Sequence, residues 1–268
     1  MNYYPGFDIK MIKETMEFTY GKDVFGPVVE KRYLNDIRSS LADPHAQGPE
    51  LLYSIAMDTG KIKDKKTMEK MNLLYGVVAY SKGMIGEEPV RSQGHIHAIS
   101  LSCNASTCEV YEIFEGEAYI YMQESGEDHA KDCYAVYAKE GEVVIVPPGW
   151  VHATINANPK KNMVFGAWCV RDYGFDYDLV KQHHGIAFFP KVKGEKIIWK
   201  FNSYYKTGNL KVIKAISYEL FGLDKKKPIY TQFEENPDIF KFVSQPNYAK
   251  DKWSKFKEIM RRGETYEV

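Results

Sequence analysis

Four residues constrain this chain more than any others: His95 and His97 in Gly94-His-Ile-His97, Glu109, and His152 in Gly141-Glu-Val-Val-Ile-Val-Pro147-Pro-Gly149-Trp-Val-His152. Strand side chains alternate between faces, so two histidines one residue apart on a strand point the same way. Such a pair can grip one ion from one side. Glu109 opens a β-rich run, Val110-Tyr-Glu-Ile-Phe, and His152 follows an apolar strand-like run and a Pro-Pro-Gly turn. Other strands could therefore bring both back to the same point. His95, His97, Glu109 and His152 together make a ligand set for one divalent metal, with one or two positions left open for chemistry. Fe²⁺, Mn²⁺, Ni²⁺, Co²⁺ and Zn²⁺ all suit three imidazoles and a carboxylate, and ligand type does not choose among them.

The spacings resemble the cupin double motif. Gly141, five residues, Pro147, one, Gly149, two, His152, three, Asn156 matches its second half at every position. The first half departs from the common form. Eleven residues, Ala98 to Cys108, separate the His pair from Glu109, and their Ser, Asn and Ala content reads as an inserted loop.

The remaining sequence fits such a body. Leu51 to Met57, Asn72 to Tyr80, Glu117 to Gln123, Cys133 to Tyr137, Val143 to Val146 and Met163 to Val170 read as strands punctuated by glycines and prolines. Ile186 to Pro190 and Lys196 to Phe201 look like further strands closing it. Residues 8–45 show apolar spacing near 3.6 and predict helix, as do Leu210 to Phe221 and Lys250 to Arg262. The expected fold is mainly β: a cupin double-stranded β-helix (jelly-roll) barrel over 49–204, with an N-terminal helical segment (1–48) and a C-terminal helical appendage (205–268).

Composition sets limits on function. The 36 basic and 36 acidic residues cancel, which argues against a nucleic-acid or membrane-surface partner. No apolar run approaches the ~20 residues of a membrane helix, and the first residues do not resemble a signal peptide. Four cysteines without a CxxC pair point to a reducing cytoplasm and read as small buried hydrophobes. His183-His184 reads as an exposed pair, and His45 and His129 as loop histidines without partners.

The stretch Ser92-Gln-Gly94-His95-Ile-His97, eleven residues, Glu109-Val-Tyr111, then Gly116, resembles the signature of the cupin-type phosphoglucose isomerases first recognised in archaea. In that family the long gap is ordinary. The resemblance runs more loosely from Arg32 through Tyr205, including Leu51-Leu-Tyr53 and Asp172-Tyr-Gly-Phe-Asp-Tyr177. It implies a metal-dependent exchange of glucose 6-phosphate and fructose 6-phosphate, through a cis-enediol or a metal-assisted hydride shift. By the same resemblance Glu109 and Tyr111 are catalytic, and Tyr53, Ser92, Gly94 and Tyr177 bind the phosphorylated sugar. A homodimer is the expected assembly, since a partner commonly covers an open barrel edge.

Three departures weaken polar recognition of the sugar phosphate. Val77 stands where the family carries a phosphate-binding threonine, Phe175 where it carries a polar residue, and Cys169 at a position that can be Tyr. Two other readings therefore stay open: a cupin oxygenase using iron and O₂, and a catalytically idle sugar-phosphate-binding cupin.

Overall fold

The apolar runs, rich in aromatic and β-branched residues, form strands, and pairing closes them into a barrel. The computed structural model describes residues 3–266. The strands that build or border the site are β1 (Glu30–Tyr33), β2 (Leu51–Ala56), β3 (Leu73–Tyr80), β4 (Ile96–His97), β5 (Glu109–Glu115), β6 (Glu117–Gln123) and β7 (His129–Lys139). They continue with β8 (Val143–Val146), β9 (Val151–Asn156), β10 (Met163–Val170), β11 (Phe175–Asp176), β12 (Phe188–Lys193), β13 (Lys196–Phe201) and β14 (Thr207–Lys214). Helices α1 (Asp178–Gln182), α2 (Ile229–Glu235) and α3 (Lys250–Arg262) complete the parts used below.

Two sheets face each other. One runs β8-β5-β10-β3-β2-β1 and the other β9-β6-β7-β14. Tyr111, Ile113 and Phe165 from the first meet Ile120, Met122 and Val136 from the second in one apolar core. This is the jelly-roll arrangement, and the chain is a mainly β cupin barrel.

Both outer faces are covered. Tyr75 and Trp168 point away from the barrel interior and pack in an aromatic cluster with Phe7, Tyr230 and Phe233. The hairpin β12–β13 covers the outer face of the second sheet through Phe189, Ile197 and Trp199, against Tyr119, Tyr121 and Ile155.

Three sequence expectations are corrected. Residues 8–45 are turns and irregular chain around four short strands: Ile9–Met11 pairs with Phe18–Tyr20, Val24–Phe25 pairs with Gly60–Lys61, and β1 joins the first sheet. Only Leu34–Ile37 is α-helical, followed by the 3-10 turn Arg38–Ser40. Met16, at φ 58°, and Gly6, at φ 105°, impose turns, and each apolar run is too short to nucleate a helix. Leu210 to Phe221, expected as helix, begins instead with β14, parallel to β7 in the register Cys133↔Leu210 to Tyr137↔Lys214. The open ladder edge of β7 and the β-branched pair Val212-Ile213 override the helical spacing. Only the 3-10 turn Glu219–Phe221 follows. Finally, β12 and β13 pair with each other as a separate ladder and do not extend the barrel sheets. The helix expected at Lys250 to Arg262 is α3.

Candidate metal centre

Three strands, β4, β5 and β9, carry His97, Glu109 and His152, and His95 sits in the bridge just before β4. A two-residue bridge joins His95 and His152 backbone to backbone: His95 N donates to His152 O at 3.0 Å and His152 N to His95 O at 2.9 Å. The first and last donors are thus pinned together. Gly94 makes the approach possible. Its φ is 92°, and a Cβ there would stand 2.8 Å from Ile186 Cγ2. β4 holds His97 against β11 through the pair His97↔Phe175, and Glu109 opens β5 opposite Val146 of β8.

The ligand atoms of His95, His97, Glu109 and His152 all lie within 4.8 Å of one another. The imidazole rings meet at centroid distances of 4.3 Å (His95–His152), 4.9 Å (His97–His152) and 5.5 Å (His95–His97). His97 Nδ1 lies 3.1 Å from Thr107 O, and His152 Nδ1 lies 3.1 Å from Trp150 O. A carbonyl only accepts, so both Nδ1 atoms carry the proton. Their Nε2 atoms then face the Glu109 carboxylate, at 3.3 Å from His97 and 3.4 Å from His152.

Lone pairs aimed at a carboxylate repel unless positive charge lies between them. That charge is either protons on Nε2 or one cation. Burial, with His152 and His97 close by, pushes His95 well below its ordinary pKa, and burial also lowers His152. Both shifts disfavour the protons. The Nε2 atoms of His95 and His152 are buried and make no hydrogen bond. These donors fit a divalent cation.

Around the donors runs a line of hydroxyls. Tyr111 OH donates to Glu109 Oε2 at 2.7 Å. Ser92 Oγ accepts from Thr154 N at 3.0 Å, and the Thr154 hydroxyl lies within hydrogen-bonding reach of both Tyr111 and Tyr80. Tyr80 stacks on Tyr53 at 4.7 Å. Burial alone would raise the Glu109 carboxyl, but positive charge at the Nε2 atoms of His152 and His97, whether protons or one cation, outweighs it and holds Glu109 well below the usual carboxylate range. Burial, with the Glu109 charge beside it, pushes the Tyr111 phenol far up, so it remains a donor.

The substrate residues expected from the sequence take these places. Ser92 and Gly94 precede the His pair, and Tyr53 and Tyr177 lie within electrostatic reach of each other. Tyr177 also rests 5.8 Å from the His95 ring. Of the three departures, Val77 is corrected. It pairs with Gly166, which pairs with Glu112, and that row faces the outer layer. A threonine at 77 would not reach the donors. Phe175 does border them, 4.4 Å from the His95 ring, and Cys169 lies on the same sheet face as Tyr111 and Glu109.

Sequence reasoning passed over Tyr80, Thr107 and Thr154. Thr154 had a signal, since it shares a strand face with His152 two residues away. His183, expected as exposed, is buried, bonded to Leu179 O at 2.8 Å and Asp128 Oδ1 at 3.2 Å, and stacked on Tyr205; only His184 is exposed. The four cysteines are free, and Cys108, Cys133 and Cys169 are buried. Among the described residues no helix is long and apolar enough to cross a membrane.

A jelly-roll barrel whose strands converge three imidazoles and a carboxylate defines a metal-site cupin. The chain belongs to the glucose-6-phosphate isomerase family, whose model matches residues 37–207. It is 28% identical over 153 residues to the glucose-6-phosphate isomerase of Thermococcus onnurineus, covering 56% of this chain and 74% of that protein. It is 24% identical over 212 residues to that of Thermococcus litoralis, covering 77% of this chain and 100% of that protein. A solved oxalate oxidase structure superimposes with a TM-score of 0.34 at 14% identity, over 46% of this chain and 54% of that one.

Proposed function

We propose that this chain interconverts glucose 6-phosphate and fructose 6-phosphate, with His95, His97, Glu109 and His152 holding one divalent cation. The observation that carries the reading is the convergence of those four donors, within the family-matched segment, on one point beside Tyr111. A bound cation supplies Lewis acidity toward the sugar oxygens at C1 and C2.

The chain's own groups supply the proton transfer. Glu109 remains ionised at neutral pH and serves as the base that takes the proton from C2 of the aldose and returns it to C1. The cis-enediol(ate) lies between these steps, and the hydroxyl proton passes from O2 to O1. Tyr111 steadies Glu109 through its hydrogen bond and offers its hydroxyl to a substrate oxygen. Phe175 and the barrel wall exclude bulk water, which strengthens these contacts. Ser92, Gly94, Tyr53 and Tyr177 orient the sugar phosphate. The working form is a homodimer, which light scattering reads as twice the monomer mass.

Formation of glucose 6-phosphate from fructose 6-phosphate, followed with a coupled dehydrogenase, tests the reading. Turnover that stops with chelator and resumes with Fe²⁺, Mn²⁺, Ni²⁺, Co²⁺ or Zn²⁺ is expected. No turnover with any of them removes it.

A further inference from the structure

Phosphate is the largest charge on the substrate, and the chain has no net positive field to attract it. Two arginines on or beside the site strands, Arg91 and Arg171, are committed elsewhere. Arg91 is buried and bonded to Glu88 at 2.6 Å and to the carbonyls of Ser92 and Ser40. Arg171 is neutralised by a two-pronged pair with Asp58, at 2.7 and 2.8 Å. Lys181 lies 5.5 Å over the Tyr177 ring, on α1.

Arg32 differs in position and in partners. In the ladder β1-β2-β3 the partners run Arg32↔Tyr53 and Tyr53↔Tyr80. Cross-strand partners share a sheet face. Arg32 therefore stands in the row that leads through Tyr53 and Tyr80 to Ser92, Thr154, Tyr111 and Glu109. Its charge acts on both the Tyr53 and the Tyr177 hydroxyls. Its ion-pair partner is Glu30 at 3.0 Å, itself two-thirds exposed, a contact that a phosphate dianion can outcompete. Arg32 also lies outside the family-matched residues 37–207.

We propose that Arg32 is a specificity-determining residue: its guanidinium binds the phosphate of the sugar phosphate at the end of the hydroxyl row opposite the metal centre. The inference rests on the isomerase reading. The planar fork of the guanidinium matches two phosphate oxygens, which a lysine at the same place would not reproduce. Because it stands at the Tyr53 end of the row and not among the donors, Arg32 contributes to binding in ground and transition states alike.

Steady-state kinetics with fructose 6-phosphate on the metal-loaded protein separates the two claims. Absence of turnover in the wild type defeats the isomerase reading itself. Given wild-type turnover, Arg32→Gln is expected to raise KM about tenfold to hundredfold with kcat little changed. Arg32→Lys should recover only part of the loss, and Lys181→Gln should leave KM near its original value. Inorganic phosphate, used as a competitive inhibitor, should lose affinity by a similar factor in Arg32→Gln. An unchanged KM and phosphate inhibition constant in Arg32→Gln, or a larger KM effect from Lys181→Gln, overturns the assignment. A circular-dichroism melt identical to wild type shows that the variant is folded.

Discussion

At the residue scale, two glutamates three positions apart on β5 have opposite fates. Glu109 faces the donors and is held ionised; Glu112 faces the outer layer, where burial raises its carboxyl to about 8. Replacing Glu109 with Gln removes both the proposed base and an anionic donor. Turnover should fall about 10²–10⁴-fold, and full activity in the coupled assay would remove the role. Glu112 accepts from Tyr3 OH and Ile229 N, each at 3.0 Å, and so clasps the N-terminal segment and the start of α2 to the barrel. It ionises near 4.5 when unfolded and near 8 when folded, so between those values the folded state holds the extra proton. Stability therefore falls as pH rises from about 4.5 to about 8. Urea melts at pH 5 and pH 9 should show that slope in the wild type and a flatter one in Glu112→Gln. An equal slope in both would contradict the assignment.

At the element scale, the loop between β4 and β5 orients the donors from behind. Asp172 accepts from Asn72 Nδ2 at 2.7 Å, Ser100 Oγ at 2.9 Å and Ser102 N at 3.0 Å, which ties the loop to the start of β3. The loop then delivers Thr107 O to His97, and Ser106 Oγ bridges His97 O to the Gly149 amide. Asp172→Ala should loosen this support and weaken metal affinity about 10–100-fold, measured by competition with a chromogenic chelator. Unchanged affinity would mean the loop holds itself. Donor spacing was legible in the sequence because a strand's period of two and a Pro-Pro-Gly turn are local signals. The strand Thr207–Lys214 was not, since its pairing with β7 depends on a neighbour more than seventy residues earlier. Arg32 was hidden for the same reason: only the register with Tyr53 shows which face it shares.

At the scale of the whole molecule, the chain ends seal the first sheet. Trp168 and Tyr75 are fully buried beneath Tyr230, Phe233 and Phe7, and Lys61 pairs with Glu234 at 2.7 Å. A chain truncated after Lys214 would expose this aromatic face, which costs several kcal/mol at roughly 25 cal/mol per Å². It should aggregate on expression; a soluble, cooperatively melting product would show that the barrel stands alone. The N-terminal residues misled the sequence reading here because their apolar spacing serves this packing and not a helix of their own.

One cation held by four donors is what turnover is proposed to depend on. Equilibrium dialysis of chelator-stripped protein against Mn²⁺, with fructose 6-phosphate turnover read on the same samples, tests it most directly. One ion per chain is predicted, with activity returning in proportion to occupancy and both lost together in His95→Ala and His152→Ala. Turnover by the stripped protein, or undiminished ion binding by the two histidine variants, would contradict it.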